Sequence, residues 1–212
     1  PTLVFENGRF HADHSSPPPC FARFADAGDV SGFDPGPIGA LNAMLAQDGA
    51  ILEIPAGVDA GTILLIHRAT VPDAHHPRHA LRLGEGARAT VVEISESAGA
   101  ALHNPVVSVA LAPGAALAHI RVQDESPDAF HLARVGIDAA ADAAYDGFLL
   151  NVGARLARAE YDARLSGPGA SVAINGAQLL SGAQHADIAT VVAHLAPGCA
   201  SRQTLRHVLD GR

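Results

Sequence analysis

From Ile51 onward, apolar and polar residues alternate in short runs that turn signals interrupt, with the two-residue period of strands rather than the 3.6-residue period of helices. The pattern predicts strands over 51–54, 62–67, 80–83, 87–95, 106–111, 116–123, 130–137, 143–150, 154–165, 171–180, 186–195 and 202–209. Residues 157–163 carry Ala and Arg, which favour helix, but the surrounding strand rhythm outweighs that local preference. The turns recur at Gly57, Gly86, Gly114, Asp142, Gly169 and Gly198, roughly 28 residues apart. A repeat of that length, with strands and turns but no intervening helices, predicts stacked coils that bury their apolar faces against one another. The fold class expected is therefore mainly all-β, a β-helix or β-solenoid, with a β-sandwich as the alternative.

Before the repeat, Leu3-Val-Phe-Glu-Asn-Gly-Arg-Phe10 reads as a hairpin, because Asn7-Gly8 supplies the positive-φ pair of a two-residue turn. Residues 11–39 are rich in Pro, Gly, Ser and Asp and predict an irregular connection. One short helix is expected over 37–47, with Pro37 in its first turn, Ile38, Leu41 and Leu45 on one face, Met44 beside them, and Gly49 as its stop. The expected organisation is an opening hairpin and irregular connection over 1–39, then a β-helix core over 40–212.

Composition narrows this picture. Of 212 residues 48% are hydrophobic but only 4% aromatic, with no Trp, so the core must be built from Ala, Val, Leu and Ile in narrow layers. A formal charge of −8 and the lack of a basic run argue against nucleic acid as a partner. All basic residues are Arg, which excludes a Schiff-base lysine and a P-loop lysine from this chain. Cys20 and Cys199 form no C-x-x-C pair. With no leader and no apolar run of membrane length, the expectation is a reduced, cytoplasmic setting without membrane contact.

Candidate chemistry collects in two stretches. Asp73, His75, His76 and His79 have the side chains divalent metals favour, in what reads as a solvated polar loop whose Pro77 prevents helical alignment of ligands. Residues 182–201 join a β-branched strand to His185, Asp187, His194 and Cys199. On a strand His185 and Asp187 share a face, whereas His194 points the other way, so one strand cannot assemble all three around an ion. Cys199 follows a Pro-Gly turn and offers a thiol. Asp124, Glu125 and Asp138 form no evident catalytic pair, and the Gly-x-Ser-x-Gly, His-Glu-x-x-His and P-loop signatures are absent.

In their order along the chain, these segments resemble the SufD branch of the SufB/SufD family of the SUF iron–sulfur cluster assembly machinery. The hairpin at 3–10, Leu41-Asn-Ala-Met-Leu-Ala-Gln-Asp-Gly49 and the 105–118 repeat are similar to family segments. So are Gly176 to Ser181, Gln184, His185, Asp187, Thr190, Val192 and His194, followed by Ser201, Arg202 and Gln203 and by Val208-Leu-Asp-Gly211. The Gln-His-x-Asp strand with its downstream His is shared with the SufB paralogue, while Cys199 before Ser201-Arg-Gln203 looks more like SufD.

The resemblance implies a right-handed β-helix and a non-catalytic scaffold that pairs with SufB and is gripped by the ABC-type ATPase SufC. It further implies iron or an iron–sulfur cluster in the full complex rather than a cofactor held by this chain, and a homodimer as the alternative pairing in isolation. The family's helical regions on either side, and its Cys-x-His-like tail, have no counterpart in 1–212, so the chain is expected to be the β-helix core of something longer. The alternative function is a β-helix or cupin-like metal enzyme using 73–79 or His185 and Asp187.

Overall fold

A computed structural model describes residues 1–27 and 36–211. The hairpin forms as expected: β1 (Thr2–Glu6) and β2 (Arg9–Phe10) pair antiparallel across Asn7 and Gly8, whose φ angles of 50° and 75° suit a type I′ turn. A 3-10 turn at Ala12–His14, β3 (Phe21–Arg23), the single-turn α1 (Phe24–Ala27) and α2 (Gly36–Leu45) come next. Positions 28–35 of the connection expected to be irregular lie outside the described residues. The remainder is strand: β4 (Ala50–Ile54), β5 (Asp59–Ala69), β6 (Ala74–His75), β7 (Arg78–Leu83), β8 (Arg88–Ser97) and β9 (Leu102–His103). These are followed by β10 (Val106–Leu111), β11 (Ala116–Asp124), β12 (Phe130–Ala139), β13 (Ala144–Asn151), β14 (Leu156–Leu165), β15 (Ser171–Ser181), β16 (His185–His194) and β17 (Ala200–Asp210). Every run expected as a strand is one; the two-residue β6 and β9 went unpredicted, as did β3 and α1, which lie in the stretch expected to be irregular.

From β4 on, the long strands alternate between two sheets, with the short β6 and β9 added beside the second. One has the order β17-β15-β13-β11-β8-β5-β1-β2, the other β16-β14-β12-β10-β7-β4-β3. Apart from β2 and β3, which pair antiparallel with β1 and β4, the ladders are parallel, and the chain climbs as a β-solenoid of about 6 turns. The corners explain the repeat seen in the sequence. Gly57, Gly86, Gly114, Asp142, Gly169 and Gly198 all have φ between 56° and 74°, the left-handed region that glycine enters freely and Asp tolerates.

Stacking in register turns the 28-residue period into columns of equivalent side chains. Leu83, Leu111, Ala139 and Leu165 form one buried apolar column, which ends at His194 on the last coil. Each such leucine contributes roughly 1.5–3 kcal/mol by leaving water. A second column starts at Phe5 and is polar from there on: His67, Ser95, Gln123, Asn151, Gln178 and His207. The interior is thus aliphatic on one side and hydrophilic on the other.

Two expectations need correction. Helix α2 docks through Ile38 as expected but not through Leu41 and Leu45, which are half-buried and exposed respectively. Its buried residues are Ile38, Gly39 and Asn42, while Met44 is 81% exposed. Asn42 decides the orientation, because its Nδ2 donates to the carbonyls of Pro77 (3.0 Å) and Asn104 (2.8 Å) and its Oδ1 accepts from Arg78 (3.1 Å). Those buried carbonyls anchor the helix more specifically than another leucine would. Nor is 73–79 a solvated loop: β6 and the start of β7 lie there, and His75, His76 and His79 are all buried.

Candidate functional site

The stretch singled out by the sequence forms the last coil. Gln184 pins its corner, with Oε1 accepting from the Ser181 amide (2.9 Å) and Nε2 donating to the Ala154 carbonyl (3.1 Å). His185 is exposed, and Asp187, two residues on, accepts from Arg158 on the preceding coil. That pair is about 41% exposed on both sides, which places it among surface ion pairs worth roughly 0–1 kcal/mol. On the inward parity of the same strand, Thr190 donates to Gln203 (2.8 Å) and His194 meets Ser201 Oγ (3.0 Å) across the two sheets. Arg202 is exposed on β17. Cys199 is half-buried against the core, and its thiol lies 3.4 Å from the Gly167 carbonyl. Cys20 is also a free, half-buried thiol, pushed up by burial.

The structure therefore does not gather His185, Asp187, His194 and Cys199 around one point. His75, His76 and His79 are likewise kept on separate duties. His79 Nδ1 accepts from the Ala50 amide (2.9 Å), His76 Nδ1 lies 2.9 Å from Asn104 Oδ1, and His75 faces the Val71 carbonyl.

What the structure does gather lies inside the solenoid. Glu93 on β8 is fully enclosed and faces Arg121 Nε (2.8 Å) and His119 Nε2 (3.1 Å), with His67 Nε2 at 3.4 Å. Burial opposes the Glu93 charge, yet Arg121, with His119 and His67, overrides it and holds the carboxyl well below its ordinary value of 4.5. One neutral tautomer satisfies His119, with Nε2–H on Glu93 and Nδ1 accepting from the Tyr145 hydroxyl (3.0 Å). One step further along, Glu125 lies between two imidazoles, 2.8 Å from His103 Nδ1 through Oε1 and 2.8 Å from His131 Nδ1 through Oε2. Gln123 Nε2 donates to the same carboxylate (2.8 Å) while its Oε1 accepts from the Gly153 amide (3.1 Å).

Among the described residues, two groups bring three metal-ligating side chains within 4.8 Å of one another: the enclosed His103, Glu125 and His131, and the more exposed Glu6, His11 and His14. Sequence reading passed over both, and took Glu125 only as half of an uninformative acidic pair. A signal existed: His75, His103 and His131 stand 28 residues apart and are register partners through β6, β9 and β12.

This interior makes stability pH-dependent. Burial lowers His67, His79 and His119 from an ordinary 6.5, with Glu93 opposing and Arg121 or neighbouring histidines reinforcing the shift. Below about 6.5 the unfolded chain takes up protons that these buried rings refuse, so stability falls as pH drops. Below about 4.5 the depressed Glu93 adds a loss of the same sign. Thermal unfolding followed by circular dichroism should show Tm declining from pH 7.5 to 5.5 and falling further below pH 4.5. A Tm flat across both windows would contradict the buried pairing.

No helix among the described residues is long and apolar enough to cross a membrane. Residues 65–212, more than half of the chain, match the family described as SUF system FeS cluster assembly, SufBD core domain. A comparison with curated proteins finds no match.

Proposed function

The chain belongs to the SufBD core family of the SUF system for iron–sulfur cluster assembly, and from that membership we propose that it acts there as a non-catalytic scaffold subunit of the SufD type. The observation carrying the scaffold reading is the solenoid itself: residues 65–212 match the SufBD core domain and form a continuous stack of parallel strands, a rigid body on which partner subunits can dock.

In this reading the chain pairs with a SufB-like paralogue, and a SufC-like ATPase completes the complex. Iron and sulfide are its cargo, and the cytoplasm, where two free thiols persist, is its compartment. Cys199 ahead of Ser201-Arg-Gln203 favours the SufD side of the family. Co-expression with SufB-type and SufC-type proteins of the same source should yield a co-purifying complex. A chain that stays monomeric beside both proteins would overturn the proposal.

A further inference from the structure

The geometry points to a divalent transition-metal site enclosed within the solenoid, with His103 Nδ1, His131 Nδ1 and the Glu125 carboxylate as its ligands. The inference goes beyond the scaffold reading and does not depend on it. His103 and His131 occupy equivalent positions on adjacent coils, since β9 and β12 pair in register. Glu125 reaches them from just beyond the end of β11, and all three side chains are at most 5% exposed. Their ligand atoms lie within 4.8 Å of one another. A tetrahedral ion bound about 2.0–2.2 Å from such ligands sets them about 3.3 Å apart. The two nitrogen–oxygen separations of 2.8 Å run to different oxygens, Oε1 for His103 and Oε2 for His131, so the carboxylate straddles the ion's position and binds it through one oxygen after a small turn.

A second, independent observation separates a metal cage from a simple hydrogen-bonded trio. His131 Nδ1 is 2.8 Å from Glu125 Oε2 but at an angle too bent for a well-formed hydrogen bond, and no other partner reaches this buried nitrogen. An orphaned buried polar atom costs about 1–3 kcal/mol. A close, misaligned nitrogen–oxygen approach is what two ligands of one ion show, since both aim at the ion rather than at each other. His103, by contrast, does hydrogen-bond Oε1. Loading the site moves its ring proton from Nδ1 to Nε2, freeing the Nδ1 lone pair.

The surroundings also fit. Gln123, itself held by the Gly153 amide, fixes the carboxylate, as outer-shell groups do in metal sites. A small cavity bordered by His67, His75 and His103 lies alongside. Two imidazoles and one carboxylate select a borderline ion such as Zn²⁺, Co²⁺ or Fe²⁺ over Mg²⁺ or Ca²⁺, and leave a fourth position for water.

The test is titration of the untagged, chelator-stripped chain with Co²⁺, read by visible d–d absorption, followed by displacement with Zn²⁺. One equivalent is expected, and Glu125→Gln and His131→Gln should each weaken binding at least tenfold. His14→Ala, which breaks the other three-ligand group, should leave it unchanged. No stoichiometric uptake, uptake indifferent to both interior variants, or uptake lost with His14→Ala would overturn the site. Should the interior variants fail to fold, metal-edge X-ray absorption of the loaded, unaltered chain decides. A first shell with two imidazoles and a carboxylate supports the assignment; fewer than two imidazoles refutes it.

Discussion

Replacing Glu93 with alanine is expected to cost about 3–5 kcal/mol of folding free energy, because it strands Arg121 as an uncompensated charge inside the solenoid. Arg121 is only 3% exposed, and its Nε is 2.8 Å from the carboxylate it would lose. His119 would lose its acceptor as well. By contrast Glu96→Ala, which breaks an ion pair with Arg68 that is over 40% exposed on both sides, should cost no more than about 1 kcal/mol. The contrast isolates burial from charge. Removing both partners, as in Glu93→Leu with Arg121→Met, should recover much of the loss, since a buried ion pair roughly breaks even against a well-packed apolar pair. Denaturant unfolding of the four chains measures all of this. Equal losses for Glu93→Ala and Glu96→Ala would show that water reaches the interior.

The second large effect is steric. Gly167→Ala is expected to destabilise the chain by at least about 3 kcal/mol, since a Cβ there would sit 2.0 Å from the Ala141 backbone nitrogen on the coil below. Backbone cannot swing aside as a side chain can, so the two coils would have to separate. Gly57→Ala is the control. Nothing lies within 4 Å of its added Cβ, and only the φ of +71° is strained, at a cost of about 1–2 kcal/mol. Similar unfolding midpoints for the two variants would contradict the close stacking of coils.

These two sites show how far the sequence could be read. Gly57 and its successors were legible as corners, because a left-handed residue is a local demand that glycine answers locally. The outward pairing of His185 with Asp187, against His194 pointing in, was legible for the same reason: strand parity needs no knowledge of neighbours. Gly167 carries no such mark. Its role comes from Ala140 and Ala141, 26 residues or more away in the chain. The helix misread is similar: periodicity favoured Leu41 and Leu45, but carbonyls contributed by Pro77 and Asn104 made Asn42 the buried anchor.

The candidate sites divide along the same line. The last coil, with Gln184, Thr190, His194, Ser201 and Gln203, was found from sequence because its residues lie close together along the chain. The enclosed groups were not. Glu93 meets Arg121 28 residues on, and His103 and His131 meet at Glu125 only once β9 and β12 are in register. A strand's own alternation tells which face a histidine takes. Whether that face is dry, and whose carboxylate waits there, depends on coils one period above and below. By itself, then, the sequence determined the alternation, the left-handed corners and the 28-residue climb, all of them short-range consequences of side-chain parity and backbone sterics. Only the tertiary structure decided which polar residues share the interior, because that choice belongs to the register between coils.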